Sequence, residues 1–168
     1  MDRNTSRDKG REIADEREIT RIIYRYANRV DVNDVEGVVA CFTDDCHVEY
    51  GGGASVLDGR AELRGFLEDA LGLRGGNPAP SSHFMTNVLV NVRGNEADVE
   101  TTAMAVRNLE PGKITVRGLR YIDVCVRVGG SSWLIRRREH IPVWEFTTDG
   151  DRAPAMLQHA RPPAGRER

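Results

Sequence analysis

The residues that could take part in chemistry are scattered along the chain. None of the four histidines forms an HxH or HExxH pair, the spacings at which two imidazoles on one element can hold a metal ion. The three cysteines lack a CxxC pair, and their odd number argues against a disulfide framework. We therefore predict no metal site, no disulfide and no thiol nucleophile. The histidines are His47, His83, His140 and His159, and the cysteines are Cys41, Cys46 and Cys125.

The elements that must position these residues begin with helices. Apolar side chains recur at three- and four-residue spacing over about 12–30, which predicts a first helix. Asn33 or Asp34 is then predicted to cap a short second helix. A further helix is predicted over about 60–73, before a loop rich in glycine and proline.

One strand separates the helices, and four longer strands follow them. The segment CHVEY alternates in polarity, so Tyr50 lies on one face and His47 on the other, where we expect solvent or a subunit contact. The longer strands are predicted at about 83–92, 97–108, 114–128 and 132–143. Helices followed by strands indicate an α+β fold, and no GxGxxG or GxxxxGK motif supports a parallel nucleotide-binding sheet. We predict a cone, in which a curved, mostly antiparallel sheet wraps around the helices and encloses a pocket.

One predicted strand carries small side chains along one face. Val99, Thr101, Ala103 and Ala105 alternate with larger or charged residues. Small inward side chains leave a cone hollow, so we expect this strand to line the pocket. The alternative is that the small residues only pack against a helix.

The ends of the chain and its charge limit the possible partners. Residues 1–11 and 147–168 lack apolar periodicity and are predicted to be flexible or loosely docked, which leaves one domain over 12–146. The 24 Lys and Arg residues against 26 Asp and Glu give a net charge of -2, so we expect no nucleic-acid partner. The chain has neither a run of about 20 apolar residues nor an apolar segment near its N-terminus, so we expect no membrane partner and a cytoplasmic location.

Several strings in the sequence are similar to one family. These are RYANRVDVNDVEGVVACFTDDCHVEY, LDGRAELRGFL, SHFMTNVLV and SWLIRRREHIPVWEF, which together span most of 12–146. The chain resembles the SnoaL-like branch of the nuclear-transport-factor-2-like superfamily, which includes polyketide cyclases, scytalone dehydratase and small subunits of ring-hydroxylating dioxygenases. The resemblance implies the cone fold, a small-molecule substrate inside the cone, catalysis without a cofactor, and a homodimer or homotrimer.

The resemblance also implies a set of site residues. Family members move protons with an Asp at the end of the first helix and a His at the start of the first long strand, and Asp31 and His83 hold these positions. Tyr50 matches a tyrosine that binds the substrate through water in scytalone dehydratase. Thr101 stands where that enzyme has a second catalytic histidine, and a threonine cannot act as an acid or base near neutral pH. The implied substrate-binding residues are Tyr26, Thr101, Tyr121 and Asp123.

Asp31 and His83 are central to the predicted mechanism. An Asp just past a helix C-terminus faces the negative end of the helix dipole, and burial would raise its pKa. It would orient His83, whose other ring nitrogen would act as a general base. Tyr50 and Tyr121 would donate hydrogen bonds to an enolate oxygen. We predict proton abstraction next to a carbonyl of an apolar, oxygenated substrate such as a polyketide or terpenoid, followed by dehydration, ring closure or double-bond migration.

A protein without acid–base catalysis could carry the same residues. Asp31 could be a cap for the second helix and His83 a structural strand residue, in a non-catalytic ligand-binding or dioxygenase-small-subunit-like protein. A pericyclic or spiro-cyclisation catalyst that works by shape would also tolerate Thr101. On the last strand, alternation places Arg136, Arg138 and His140 on one face, which we expect to be a solvated or partner-facing edge.

Overall fold

Helices come first in the structure and long strands follow, as the periodicity predicts. The computed structural model describes residues 3–76, 78 and 80–150, with the backbone alone for 3–9 and 109. The elements are α1 (Arg3–Asp31), α2 (Val35–Val39), β1 (Phe42–Tyr50), β2 (Ser55–Asp58), α3 (Gly59–Ala70), β3 (Ser81–Arg93), β4 (Glu96–Glu110), β5 (Lys113–Val128) and β6 (Ser132–Asp149). The predicted α+β class is confirmed.

Several element boundaries differ from the prediction. Helix α1 already begins at Arg3, so it extends through most of 1–11, which was predicted to be flexible. Strand β2 was not predicted, since it is short and follows three glycines. Strand β6 extends to Asp149, so it includes the first three residues of the predicted tail, 147–149. The rest of that predicted tail, 151–168, lies outside the described residues.

The six strands form one mixed sheet in the order β2-β1-β6-β5-β4-β3. Strands β3 to β6 pair with their chain neighbours in antiparallel fashion, which confirms the predicted meander. Strand β1 pairs with β6 in parallel and with β2 in antiparallel fashion. The sheet therefore brings the first strand of the chain beside the last one.

The core lies between the apolar face of α1 and the inner face of the sheet. The buried side chains of α1 recur at helical spacing and pack with small or aliphatic residues of β4 and β5. Those of α1 are Ile19, Ile22, Ile23, Tyr26, Ala27 and Val30. This packing fixes the end of α1, at Asp31, against the sheet.

A buried ion pair anchors the middle of α1 to the far end of the sheet. Asp15 accepts two hydrogen bonds from the guanidinium of Arg127, at 2.7 and 2.5 Å, and one from the indole nitrogen of Trp133 at 3.1 Å. The guanidinium also stacks on the Trp133 ring, 4.5 Å from its centroid. Asp15 thus joins one helix to two strands.

Replacement of Asp15 by Asn is expected to lower the free energy of unfolding by about 1–3 kcal/mol, because it removes a charge-assisted acceptor from a buried site. Urea unfolding measures the difference. Glu18→Gln is the control on the same helix, because the Glu18 pair with Arg21 is exposed and should contribute little. Equal stabilities of the two variants would contradict the anchoring role.

All three cysteines are buried and free. Burial raises the pKa of each thiol, which keeps all three protonated near neutral pH. Among the helices that the structure describes, none has the length and apolar character needed to cross a membrane.

Candidate active site

A pocket of about 250 Å³ opens where α1 ends and β3 begins. The residues that line it come from α1, α3 and the strands of the sheet, and from the turns after β1 and α3. The aromatic and ionisable side chains that line it are Tyr26, Tyr50, Phe66, His83, Arg107, Arg117, Tyr121 and His140. Four residues of the predicted site, Tyr26, Tyr50, His83 and Tyr121, are therefore brought together in one pocket.

The small side chains of β4 do not line this pocket. Ala105 borders a second cavity of about 50 Å³, which shares four lining residues with the first. Val99, Thr101 and Ala103 border neither cavity and are buried in the core. The predicted hollow along β4 is wrong for these three residues, since Val99 and Ala103 belong to the same buried cluster as Tyr26 and Tyr121, and Thr101 is also buried.

Asp31 and His83 form a hydrogen-bonded pair. Asp31 is the last residue of α1 and His83 lies near the start of β3. Oδ1 of Asp31 is 2.6 Å from Nδ1 of His83, and Oδ2 accepts the backbone N–H of His83 at 2.8 Å. The hydroxyl of Ser81 donates to Oδ1 at 3.0 Å. The predicted pairing of these two residues is confirmed.

The pKa of Asp31 is lowered and not raised, so that prediction is wrong. Burial alone would raise the pKa, but the side-chain and backbone hydrogen bonds from His83, with that of the Ser81 hydroxyl, outweigh it, and a charge on the His83 ring, when the ring is protonated, acts in the same direction. An ionised carboxylate only accepts hydrogen bonds, so Nδ1 of His83 carries the proton. In the neutral form of this ring, Nε2 keeps its lone pair and is the nitrogen left for a ligand in the pocket.

Helix capping does not explain Asp31. The cap of α2 is Asp34, whose side chain accepts the N–H of Gly37 at 2.9 Å. Asn33 adopts a positive φ of 57°, which turns the chain between the two helices. The side chain of Asp31 points instead to Ser81 and His83 on β3. The alternative of a capping role is therefore excluded by the geometry.

Two tyrosine hydroxyls meet in the pocket. The hydroxyl oxygens of Tyr26 and Tyr50 are 3.1 Å apart, and the Tyr50 ring stacks on Phe66 with centroids 4.6 Å apart. Burial and the neighbouring hydroxyl of Tyr26 raise the pKa of Tyr50 well above its usual value, so it remains a neutral phenol. The hydrogen bond between the two hydroxyls uses the proton of only one of these tyrosines. The other is available for donation to a ligand.

A fully buried ion pair lies beneath the aromatic side chains. Arg138 binds Asp123 in a bidentate arrangement with both distances at 2.7 Å. Its guanidinium lies over the rings of Tyr26 and Tyr121, 4.0 and 4.5 Å from their centroids. Asp123, predicted to bind substrate, is occupied by Arg138 and does not border the pocket. Arg138, predicted on a solvated edge, has no exposed surface.

A β-bulge explains why Arg138 faces inward. Strand β5 pairs Val124 with Arg137 and Cys125 with Ile135, so Arg136 is an extra residue in β6. The bulge reverses the alternation, and Arg138 and His140 turn into the cone while Arg136 pairs with Glu96 outside. The prediction that Arg136 shares a face with Arg138 and His140 is therefore wrong.

His140 is a pocket residue that the sequence analysis did not select. Its ring lies 5.1 Å from that of Tyr50 and 5.4 Å from that of Tyr121, measured between centroids. Burial and the charge of Arg138 lower the pKa of His140 to about 4. The N–H of Gly51 donates to its Nδ1 at 3.4 Å, which favours the neutral tautomer with the proton on Nε2. His140 is thus a neutral donor beside Tyr50.

The ring protons of His140 are expected to show no titration in NMR spectra between pH 8 and about pH 5, since its pKa is about 4. Because the pKa of His140 is lower in the folded state than in the unfolded chain, protonation of this ring favours unfolding. The contribution of the neutral ring to stability is therefore complete above about pH 6.5 and is lost as the pH falls toward 4. His47, which is half-exposed, provides the reference signal, because Asp58 and Glu49 raise its pKa. A midpoint for His140 above that for His47 would contradict this environment.

The remaining predicted residues lie away from the pocket. Thr101 is buried, and its hydroxyl has no partner among the described residues. His47 lies on the outer face, with Nδ1 2.7 Å from Asp58, as predicted. Within the part of the chain that the structure describes, no three His, Cys, Asp or Glu side chains are grouped as ligands for a metal ion.

Helices packed against a mixed, mostly antiparallel sheet, with a pocket lined by apolar, aromatic and ionisable side chains, define the nuclear-transport-factor-2-like class of α+β domains. The sequence profile of the SnoaL-like domain matches residues 11–139. The chain belongs to this SnoaL-like family. No curated protein matches the sequence.

Three solved structures illustrate the similarity. A protein provisionally assigned as a scytalone dehydratase, from Novosphingobium aromaticivorans, is 26% identical, with 86% of this chain and 93% of that chain covered and a TM-score of 0.71. A hexachlorocyclohexane dehydrochlorinase is 14% identical, with 88% and 99% covered and a TM-score of 0.76. ActVI-ORFA from Streptomyces coelicolor is 16% identical, with 74% and 95% covered and a TM-score of 0.63. The last two support the fold alone.

Proposed function

We propose that this protein is a cofactor-independent enzyme that removes a proton from a carbon next to a carbonyl. The substrate would be an oxygenated small molecule of the polyketide or terpenoid type, and the enolate would lose water, close a ring or shift a double bond. The observation that carries the proposal is the pair of Asp31 and His83 at a pocket of about 250 Å³. The SnoaL-like family and the relative assigned as a scytalone dehydratase support the same class of reaction.

The geometry suggests how the steps are divided among side chains. Nε2 of His83 takes the proton from carbon, and the ionised Asp31 stabilises the imidazolium that forms. The neutral hydroxyl of Tyr50 donates to the oxygen on which negative charge develops. Nε2–H of His140 is a second neutral donor. The second histidine of the pocket thus comes from β6, whereas the resemblance placed it at Thr101.

Exchange of carbon-bound protons tests the proposal without knowledge of the natural substrate. The protein is incubated in D2O with bicyclic ketones such as 2-tetralone, and loss of the α-proton signals is followed by NMR. Exchange should be faster than in buffer for the native protein and should return to the buffer rate in His83→Gln. His47→Gln is the matched control, since it disrupts a similar histidine–carboxylate pair on the outer face.

Two results would argue against this function. A native protein that accelerates exchange for none of the ketones would remove the evidence for a carbon-acid base. A His83→Gln variant that keeps the native exchange rate would favour a catalyst that acts by shape alone.

A further inference from the structure

Two arginines lie in the part of the pocket next to His83. Arg107 comes from β4 and Arg117 from β5, where Ala105 pairs with Arg117 and so places the two arginines near one another. Both arginines border the main pocket and also the adjoining cavity of about 50 Å³. His83 and His140 border the same two spaces. The cavity therefore adjoins the groups proposed to move protons.

Arg107 has no acidic partner among the described residues. Its Nη2 donates to the backbone oxygen of Ala70 at 2.8 Å, while its Nε is buried without a hydrogen-bond acceptor. A guanidinium offers five N–H donors, and a buried cation is costly unless an anion accompanies it. Burial, followed by the like charge of Arg117, lowers the pKa of Arg107. Both observations indicate surroundings in which a bound anion would stabilise the Arg107 guanidinium.

The nearby charged groups do not neutralise the charge of Arg107. Asp31 interacts electrostatically with Arg107, but both of its carboxylate oxygens already accept hydrogen bonds from His83 and Ser81. Arg117 is bound to Glu145 on β6, so that its charge is partly neutralised. Arg107 is therefore the principal cation of this corner and Arg117 the secondary one.

We propose that Arg107 and Arg117 form a subsite for a carboxylate group of the substrate. A planar guanidinium suits a carboxylate, which can accept two parallel N–H donors. The cavity of about 50 Å³ is larger than the roughly 10–15 Å³ that a cavity needs to hold one water molecule, so it has room for a small polar group. The natural substrate would then be an oxygenated carboxylic acid whose anion holds the reacting carbon beside His83. The identification of this ligand as the substrate rests on the proposed function, whereas the binding of a carboxylate at the two arginines does not.

Binding of two probes that differ in charge tests this subsite. The probes are 2-naphthoate and 2-naphthamide, which share one ring system, and calorimetry at low ionic strength gives their dissociation constants. The native protein should bind the carboxylate roughly tenfold or more tightly than the amide, because hydrogen bonds between charged groups are stronger than neutral ones. Equal affinities, or no binding of either probe at millimolar concentration, would overturn the proposal.

Variants assign the preference to its residues. Arg107→Gln should abolish the preference for the carboxylate. Arg120→Gln should keep it, because Arg120 is exposed on the outer face and paired with Glu100. Retention of the full preference in Arg107→Gln would overturn the subsite. If that variant does not fold, the native protein still decides, since added salt should weaken binding of the carboxylate and leave that of the amide unchanged.

The subsite and the proposed reaction can fail separately. His83→Gln should lose proton exchange and keep the preference for the carboxylate, because the arginines are intact. A native protein that exchanges protons but prefers the amide would refute the subsite alone. A native protein that prefers the carboxylate and exchanges no protons would refute the reaction alone.

Discussion

Replacement of His83 by Gln is expected to lower kcat/KM for proton exchange by roughly 10²–10⁴-fold, the usual contribution of a general base. Gln keeps a hydrogen-bonding side chain of similar reach but has no lone pair on nitrogen that accepts a proton. Asp31 should then remain paired through the backbone N–H of residue 83, which binds its Oδ2 at 2.8 Å. The comparison of exchange rates by NMR measures this effect.

Asp31→Asn separates orientation from proton transfer in the same pair. An amide in place of the carboxylate can donate to Nδ1 of His83, which would move the imidazole proton to Nε2 and remove the basic lone pair from the pocket. We expect a loss of activity that approaches that of His83→Gln. Ser81→Ala removes one donor to Oδ1 and leaves the pair in contact, so it should cost far less. Full activity of Asp31→Asn would show that the carboxylate has no part in setting the tautomer.

Replacement of Arg138 by Met is expected to lower the free energy of unfolding by about 3–5 kcal/mol. The change leaves the carboxylate of Asp123 without its partner, and both side chains have no exposed surface. The contacts of the guanidinium with the rings of Tyr26 and Tyr121 are lost as well. Urea unfolding at neutral pH measures the change.

A double variant and a surface variant serve as controls for Arg138→Met. Arg138→Met combined with Asp123→Leu removes both charges, so it should be more stable than the single variant. Arg136→Met breaks the neighbouring pair with Glu96, which is exposed, and should cost about 0–1 kcal/mol. If Arg138→Met were as stable as Arg136→Met, the buried pair would not stabilise the fold.

Most of the fold follows from local patterns in the sequence. The four long strands were predicted because polar and apolar residues alternate within them and turn residues such as Gly129 and Gly130 separate them. The pairing of Asp31 with His83 came from the family resemblance, and no local pattern joins two residues that are 52 positions apart. The direction of the pKa shift of Asp31 required the donors of β3, which the sequence alone does not place.

The inner face of β6 could not be predicted, because the bulge at Arg136 has no local signal. Regular alternation from Trp133 and Ile135 would turn Arg137 inward, whereas the structure turns Arg138 and His140 inward. The extra residue is detected only through the pairing with β5. The roles of Arg107 and Arg117 were missed for a similar reason, since they depend on how β4 and β5 curve around the pocket.

Because Asp31 and His83 lie on two different elements, the proposed activity depends on the docking of α1 on β3. Asp31 reaches His83 only after α1 has docked on β3, whereas the hairpins of the meander can form from chain neighbours alone. A partly folded chain with an intact sheet and an undocked helix would contain every catalytic side chain and have no base held in its working tautomer. Recovery of the proposed activity during refolding would therefore require helix docking in addition to formation of the sheet.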